Sequence, residues 1–316
     1  MYKGKKVAAV VPAYNEEVLI EKVITTMPDF VDLIVVVDDA SKDSTSSVVS
    51  SLQKKIDRCI FLIRHEKNTG VGGAIVTGHK KALEQGAEIN VIMAGDAQMD
   101  PDDLPKILDP LIEGDIDFSK GNRFFNGEAW KNMPRLRFYS NAGLSMLNKI
   151  ASGYWHIADP QCGYTAITRQ SLEKLDLDAL SRGYHFENSL LIQLNVQDLR
   201  VKDVPIKAVY GIGEKSGIVH WIALFSFSFF LLRAFIWRLE QKYIIRDFHP
   251  LVFFYFFGIM FLLIGFFLGI YLIIFRLFID LVKETSAIFA AFLFTSGLQL
   301  VLFAMWFDKD YKRSMN

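Results

Sequence analysis

The chain has 316 residues, enough for one large or two modest domains, and its 35 Lys and Arg balance 35 Asp and Glu. Zero net charge excludes a nucleic-acid binder driven by bulk positive charge, and 2 cysteines exclude a disulfide framework or a Cys-rich metal site. The 27 Phe crowd after His220, so the composition averages two unlike halves.

Lys3, Lys5 and Lys6 precede the apolar run Val7–Val11. That run is about five residues long before Pro12, short of the seven or more that a signal-peptide core needs. It reads as a first strand, which keeps this half in the cytoplasm. Leu33–Val37, Ile60–Ile63, Asn90–Met93 and Phe118–Lys120 read as further strands. They are short and rich in Val and Ile without alternation, as suits strands buried on both faces. Glu16–Thr26, Ser44–Gln53, Val71–Glu84 and Asp103–Ile112 carry amphipathic patterns between them. Strands alternating with helices predict an α/β body with a mostly parallel sheet. Cys59 lies at the third run, where a buried thiol is expected. With Cys162 far along the chain, a reducing compartment fits.

After Gly217 the rules change. Leu251–Phe275 and Ser286–Phe307 hold no charge. As a helix the first would be roughly 37 Å long, against a hydrocarbon core of about 30 Å. Neither has the polar stripe of a soluble helix, so both are expected to span a membrane. Arg233, Arg238, Lys242 and Arg246 precede the pair, and Lys309, Lys312 and Arg313 follow it. The connecting loop carries Arg276 and Lys283 with Asp280 and Glu284, so the cations predict both termini in the cytoplasm. His220–Tyr243 is apolar but interrupted by Arg233, Arg238 and Glu240, with Trp221 and Trp237 suited to the headgroup zone. An amphipathic interfacial helix is expected there; a third span would carry the C-terminal cations outside. Gly258, Gly265 and Gly269 would allow close helix packing, a homo-oligomer being one outcome.

The chemistry-bearing residues cluster at strand ends, the edge where open α/β sheets bind ligands. VVPAYNEE, residues 10–17, closes the first strand and reads equally as a capped βα turn or as one wall of a nucleotide pocket. VVVDDASKDST puts Asp38 and Asp39 at the second strand end, where a carboxylate can accept hydrogen bonds from ribose hydroxyls or a base N–H. KNTGVGGA, residues 67–74, matches neither a Walker A loop nor a dinucleotide fingerprint; it suits close backbone approach to a nucleotide or simply a tight turn. In VIMAGDAQMDP, residues 91–101, Asp96 and Gln98 are two apart, so an extended chain would send both side chains to one face. Their hard oxygens suit Mg²⁺ or Mn²⁺ shared with phosphates. None of the 6 histidines pairs at metal spacing.

These motifs, with KGNRF at 120–124, DPQCGYTA at 159–166 and the span pair, resemble the family-2 glycosyltransferases of GT-A fold. The nearest subgroup is the polyprenyl-phosphate glycosyltransferases, similar to dolichyl-phosphate mannose synthase and the bactoprenol glucosyltransferases. The resemblance covers roughly Val7 to Gly217 and extends into the tail. It implies a Rossmann-like, mostly parallel GT-A catalytic domain over residues 1–217. An amphipathic juxtamembrane segment over 218–249 and a two-helix transmembrane region over 250–316 would follow, ending in a short cytoplasmic tail.

The implied reaction is an inverting transfer of a hexose from a sugar nucleotide, a UDP-sugar before GDP-mannose, to a polyprenyl phosphate at the membrane. By resemblance, Pro12, Tyr14, Glu16, Asp38 and Asp39 line the nucleotide site. Asp96 matches the second acid of the family's Asp-x-Asp motif and Gln98 its following Gln, as ligands of Mg²⁺ or Mn²⁺. Ala94 stands where the first acid would be. Arg123 would meet the acceptor phosphate, with Arg135 or Arg137 as a second cation. Asp159 and Glu187 are the acceptor-side acids, and Thr165 replaces the arginine usual after DPQCGY. Lys215 would meet lipid phosphate at the membrane surface or be a solvated turn lysine. Two other readings stay open: a different lipid or glycan acceptor, and a catalytically silent membrane scaffold.

Overall fold

The computed structural model describes residues 1–114, 116–124, 135–207, 220–246 and 248–313. The chain divides into two compact units, Met1–Phe235 and Ile236–Asn316.

The first unit is built on a 7-stranded sheet of order β3-β2-β1-β4-β6-β5-β7. Its strands are β1 (Val7–Ala13), β2 (Leu33–Asp38), β3 (Ile60–Arg64), β4 (Ile89–Ile92), β5 (Phe118–Asn122), β6 (Thr165–Thr168) and β7 (Val201–Pro205). β6 runs antiparallel to both neighbours; every other pairing is parallel. All strands except β6 therefore end at one edge. The expected parallel α/β body is present, with β6 and β7 added to the runs read from the sequence.

Alternation along β1 shows why its apolar run is unbroken. Val7, Ala9 and Val11 pack with Ile20, Ile24, Leu52 and Leu108 on one face. Ala8 and Val10 pack with Ala74 and Ala82 on the other. Helices cover both faces: α1 (Ile20–Thr25), α2 (Thr45–Lys55), α3 (Val71–Glu84), α4 (Leu104–Ile112), α5 (Arg135–Ser152), α6 (Arg169–Leu172) and α7 (Phe186–Val196). A strand with helices on both faces needs no polar side.

Two local expectations change. The helix expected over Glu16–Thr26 starts only at Ile20, because residues 15–17 are tied into the next loop instead. Cys59 is exposed, not buried: its carbonyl accepts from Ile34 N of β2 at 2.9 Å, just ahead of β3, but its side chain faces outward; Cys162 is buried.

α8 (His220–Glu240) continues into a π-helical turn, Gln241–Arg246. α9 (Leu251–Phe278) and α10 (Glu284–Arg313) follow. Among the described residues, 2 helices are long and apolar enough to cross a membrane, and α8 is not one of them. Most of their side chains face outward, as a lipid-facing surface does and a soluble core helix does not. A Cβ on Gly258 would lie 2.9 Å from the Val301 nitrogen, and one on Gly265 would lie 2.5 Å from that of Phe294. These glycines let α9 and α10 approach within one chain, so their close packing is intramolecular; Gly269 has no heavy atom within 4 Å. Within this second unit Arg238 forks onto Asp308 at 2.8 and 2.9 Å, and the Tyr243 hydroxyl donates to the same carboxylate at 2.6 Å.

Candidate active site

The loops after β1 and β2 are interlocked. Asn15 N donates to Ser41 Oγ at 2.9 Å, Glu16 N to Thr45 Oγ1 at 2.9 Å, and Glu17 N to Asp43 at 3.1 Å. Lys42 N and Ser44 N return bonds to the Asn15 and Glu17 side chains at 2.8 and 2.9 Å. Asn15, Ala40 and Ala97 all adopt positive φ on this edge, a conformation uncommon for non-glycine residues and typical of functional loops. Tyr14 is held at the surface, 43% exposed.

The two adjacent acids of β2 do different work. Asp38 is fully buried and accepts from Ser41 N at 2.8 Å and from the Ser46 hydroxyl, with Arg64 Nε at 3.7 Å. It shapes the turn into α2. Asp39 accepts from Thr69 N and Oγ1, both at 2.9 Å, and from Gly70 N at 2.8 Å, with His65 Nδ1 at 2.7 Å. Burial pushes its carboxyl up, but these donors outweigh that and hold it below the usual carboxylate range. Asp39 therefore anchors the glycine-rich loop. Gly70 N-caps α3 at φ 86°, and a Cβ there would meet the Arg182 carbonyl, so only glycine fits.

The β4 loop closes the same edge. Gly95 N donates to the Pro12 carbonyl at 3.1 Å, and a Cβ on Gly95 would press on Ala13 at 3.2 Å. This seats Asp96 against the end of β1. The extended chain that the sequence suggests is not what forms here. Ala97 has φ 55°, and Gln98 N donates to Asp96 Oδ1 at 3.1 Å. Backbone geometry, not strand alternation, sets where Asp96 and Gln98 stand. Burial, with the charges of Asp96 and Asp43, pushes the Glu16 carboxyl up to about 7. The β1 and β4 acids are thus close enough to repel. Among the described residues no group of 3 or more His, Cys, Asp or Glu could enclose a metal. The oxygens present suit a hard cation that takes the rest of its shell from phosphates.

Across β6, acids are matched with cations. Arg123 forks onto Asp159 through Nε at 2.7 Å and Nη2 at 3.0 Å, and Asp159 is 1% exposed. Lys120, also 1% exposed, donates to the Cys162 carbonyl. A Cβ on Gly163 would lie 3.6 Å from Glu187 Oε1 and 3.5 Å from Met99 Cε. The DPQCGYT loop, the start of α7 and the β4 loop therefore meet. Burial raises the Glu187 carboxyl, against the pull of Lys120 and Arg123. Arg135 opens α5, and Arg137 lies one residue beyond its second position. The side chains of both, and all of Lys215, fall outside the described residues.

Four contributors have no role in the sequence reading. His65 and Thr69 clasp Asp39, which no short motif announces. Lys120 lies inside the KGNRF stretch, but its burial could not be read from it. Asp203 accepts from Ala158 N at 2.7 Å and Asn122 Nδ2 at 3.1 Å. Its strand, with Val201 and Val204 buried and Lys202 and Pro205 exposed, has no period-2 pattern that would announce it.

The comparisons agree with this arrangement. Residues 8–176 match the family model described as Glycosyl transferase family 2, more than half of the 316 residues. The UDP-N-acetylglucosamine--dolichyl-phosphate N-acetylglucosaminyltransferase of Methanococcus voltae is 34% identical, over 65% of this chain and 86% of its own. The undecaprenyl-phosphate mannosyltransferase of Micrococcus luteus is 29% identical over 65% and 84%. Among solved structures, glucosyl-3-phosphoglycerate synthase from Mycobacterium tuberculosis superposes with a TM-score of 0.54 at 20% identity, covering 74% of this chain and 80% of that one. This last likeness is one of fold. Sheet order, loop geometry and family match converge on one conclusion: the chain is a GT-A-fold glycosyltransferase and belongs to glycosyl transferase family 2.

Proposed function

We propose that this glycosyltransferase moves a single sugar, with inversion, from a sugar nucleotide to a polyprenyl phosphate at the cytoplasmic face of a membrane. The carrying observation is that one sheet edge bears Glu16 and Asp96 after β1 and β4 and the Arg123–Asp159 fork after β5. The names of the M. voltae and M. luteus relatives support a polyprenyl-phosphate acceptor. A UDP-sugar is the favoured donor, GDP-mannose the second choice. We assign residues 1–217 to catalysis, 218–249 to the membrane interface and 250–316 to two spans with both termini inside.

Pro12, Tyr14 and Glu16 border the donor, while Asp38 and Asp39 fix the loops around it. Asp96 and Gln98 would hold Mg²⁺ or Mn²⁺, which when bound offsets charge on the departing diphosphate. An acceptor phosphate oxygen forms the new bond to the anomeric carbon from the face opposite the leaving group. The bond from that carbon to the diphosphate oxygen breaks, and its electron pair leaves with the nucleoside diphosphate. The phosphate is already ionised, so positioning and electrostatics carry the catalysis and little general base is needed. Arg123, with Lys120 behind it, supplies positive potential at the acceptor. Glu187, whose ionisation burial disfavours, repels the anion less than an ordinary carboxylate would.

The test uses the full chain in lipid nanodiscs with Mn²⁺, polyprenyl phosphate and a panel of sugar nucleotides. Mass spectrometry should show the lipid heavier by one hexose or N-acetylhexosamine, with equimolar nucleoside diphosphate. Transfer to a diacylglycerol lipid alone would replace the acceptor. No transfer to any lipid, with UDP binding indifferent to Mn²⁺, would leave the scaffold reading.

A further inference from the structure

Behind the Arg123–Asp159 fork lies a polar group that the reaction scheme does not use. Asp203 sits on β7, in register with Lys120 of β5. Its Oδ2 accepts from Ala158 N at 2.7 Å and from Asn122 Nδ2 at 3.1 Å. Its Oδ1 is buried and has no hydrogen-bond partner among the described residues. A carboxylate oxygen left so is costly, and the bond to Ala158 N is what the position secures in return. Ala158 immediately precedes Asp159, whose oxygens take Arg123 Nε, Nη2 and, at 3.3 Å, the Arg123 backbone N–H. Asn122 immediately precedes Arg123, and its Oδ1 accepts from Phe124 N at 2.9 Å. One carboxylate thus grips the residues just before both members of the fork, from a strand that neither occupies.

We propose that Asp203 is a positioning residue for the acceptor phosphate: by holding Ala158 and Asn122 together, it aligns Asp159 so that Arg123 is fixed in the acceptor pocket. It touches no reacting atom and lies far along the sheet from the β1–β2 loops, so its influence falls on the acceptor and not on the donor. In its kinetic part the inference rests on the polyprenyl-phosphate reading; in its geometric part it does not.

The experiment uses the full chain in nanodiscs and has two readouts. Kinetics of D203A should show the KM for polyprenyl phosphate raised roughly tenfold, the effect of losing one buried hydrogen bond to the turn, with the sugar-nucleotide KM unchanged. D203N keeps an oxygen facing Ala158 N and should recover most of that loss. The second readout needs no turnover: phenylglyoxal modification of individual arginines, followed by peptide mass spectrometry. In D203A, Arg123 should react several-fold faster while Arg58, held by the Met27 and Pro28 carbonyls, keeps its wild-type rate. Equal acceleration of both arginines in a folded variant, or an unchanged rate at Arg123, would overturn the proposal. So would a donor KM that rises with the acceptor KM. If D203A does not fold, D203S, too short to reach Ala158 N, is read the same way. Should the wild type transfer no sugar, the polyprenyl-phosphate reading falls, and the arginine rates still decide the role of Asp203.

Discussion

The two ends of the catalytic edge handle carboxylates in opposite ways. At β1, β2 and β4, Asp38 and Asp39 are satisfied mainly by backbone and hydroxyl donors, and the charge of Asp96 adds to burial in raising the Glu16 carboxyl. At β5, Asp159 is neutralised by a forked arginine, and Glu187 lies within the field of Lys120 and Arg123. The first arrangement gathers carboxylates, as a cation site would, and the second sets Arg123 and Lys120 among its acids. The proposed reaction, in which a metal-bound diphosphate departs beside a lipid phosphate, would need this separation. Two like-charged pockets would draw the same partner to both ends.

The comparison can be broken most severely at Asp96. D96N should lower turnover by about 100-fold or more, roughly 3 kcal/mol of transition-state stabilisation, measured as initial rates at saturating acceptor. Stability should barely change. At the other end R123A should act on both activity and stability. It strands Asp159 as a buried, uncompensated charge, so a loss of about 2–3 kcal/mol is expected in thermal unfolding, together with a raised acceptor KM. R123A/D159A should recover part of that stability, because removing both partners leaves no orphaned charge.

Smaller effects sharpen the contrast within the donor end. D39N should cost about 1–2 kcal/mol by weakening the clasp on Thr69 and Gly70. The folded-state pKa of Asp39 is lowered, so its contribution is complete above the unfolded carboxylate pKa and is lost as pH falls through the folded value. Melting curves of D39N and wild type should therefore converge on acidification below about pH 4. Glu16 has the opposite sign. Its folded pKa of about 7 lies above the ordinary 4.5, so ionisation destabilises the fold as pH rises through that window. E16Q should flatten the decline in melting temperature between pH 5 and 8 by a small amount, and Mn²⁺ with UDP should do the same for the wild type.

Much of this was legible in the residues. Unbroken Val and Ile runs at β1 and β2 announced buried parallel strands, and the apolar stretches after Pro250 announced α9 and α10. The ordered motifs identified the family. Less legible was anything that depends on two distant segments meeting. β6 is only four residues long, and it reverses direction between two parallel groups, which no local pattern encodes. Asp38 and Asp39 look alike in sequence, but one shapes a turn and the other holds the Thr69–Gly70 loop. Asp96 and Gln98 seemed set by strand alternation; a left-handed Ala97 sets them instead. Arg123 stood out in the KGNRF stretch as a candidate, while its fork onto Asp159 and the Asp203 contacts behind it require the register of β5 and β7.

The division of labour along the edge is tested most directly by electron paramagnetic resonance titration of Mn²⁺ with UDP, using wild type, D96N and R123A in nanodiscs. The account predicts that wild type and R123A bind the Mn²⁺–UDP complex alike and that D96N loses it. Undiminished binding by D96N, or loss of binding by R123A while it remains folded, would contradict it.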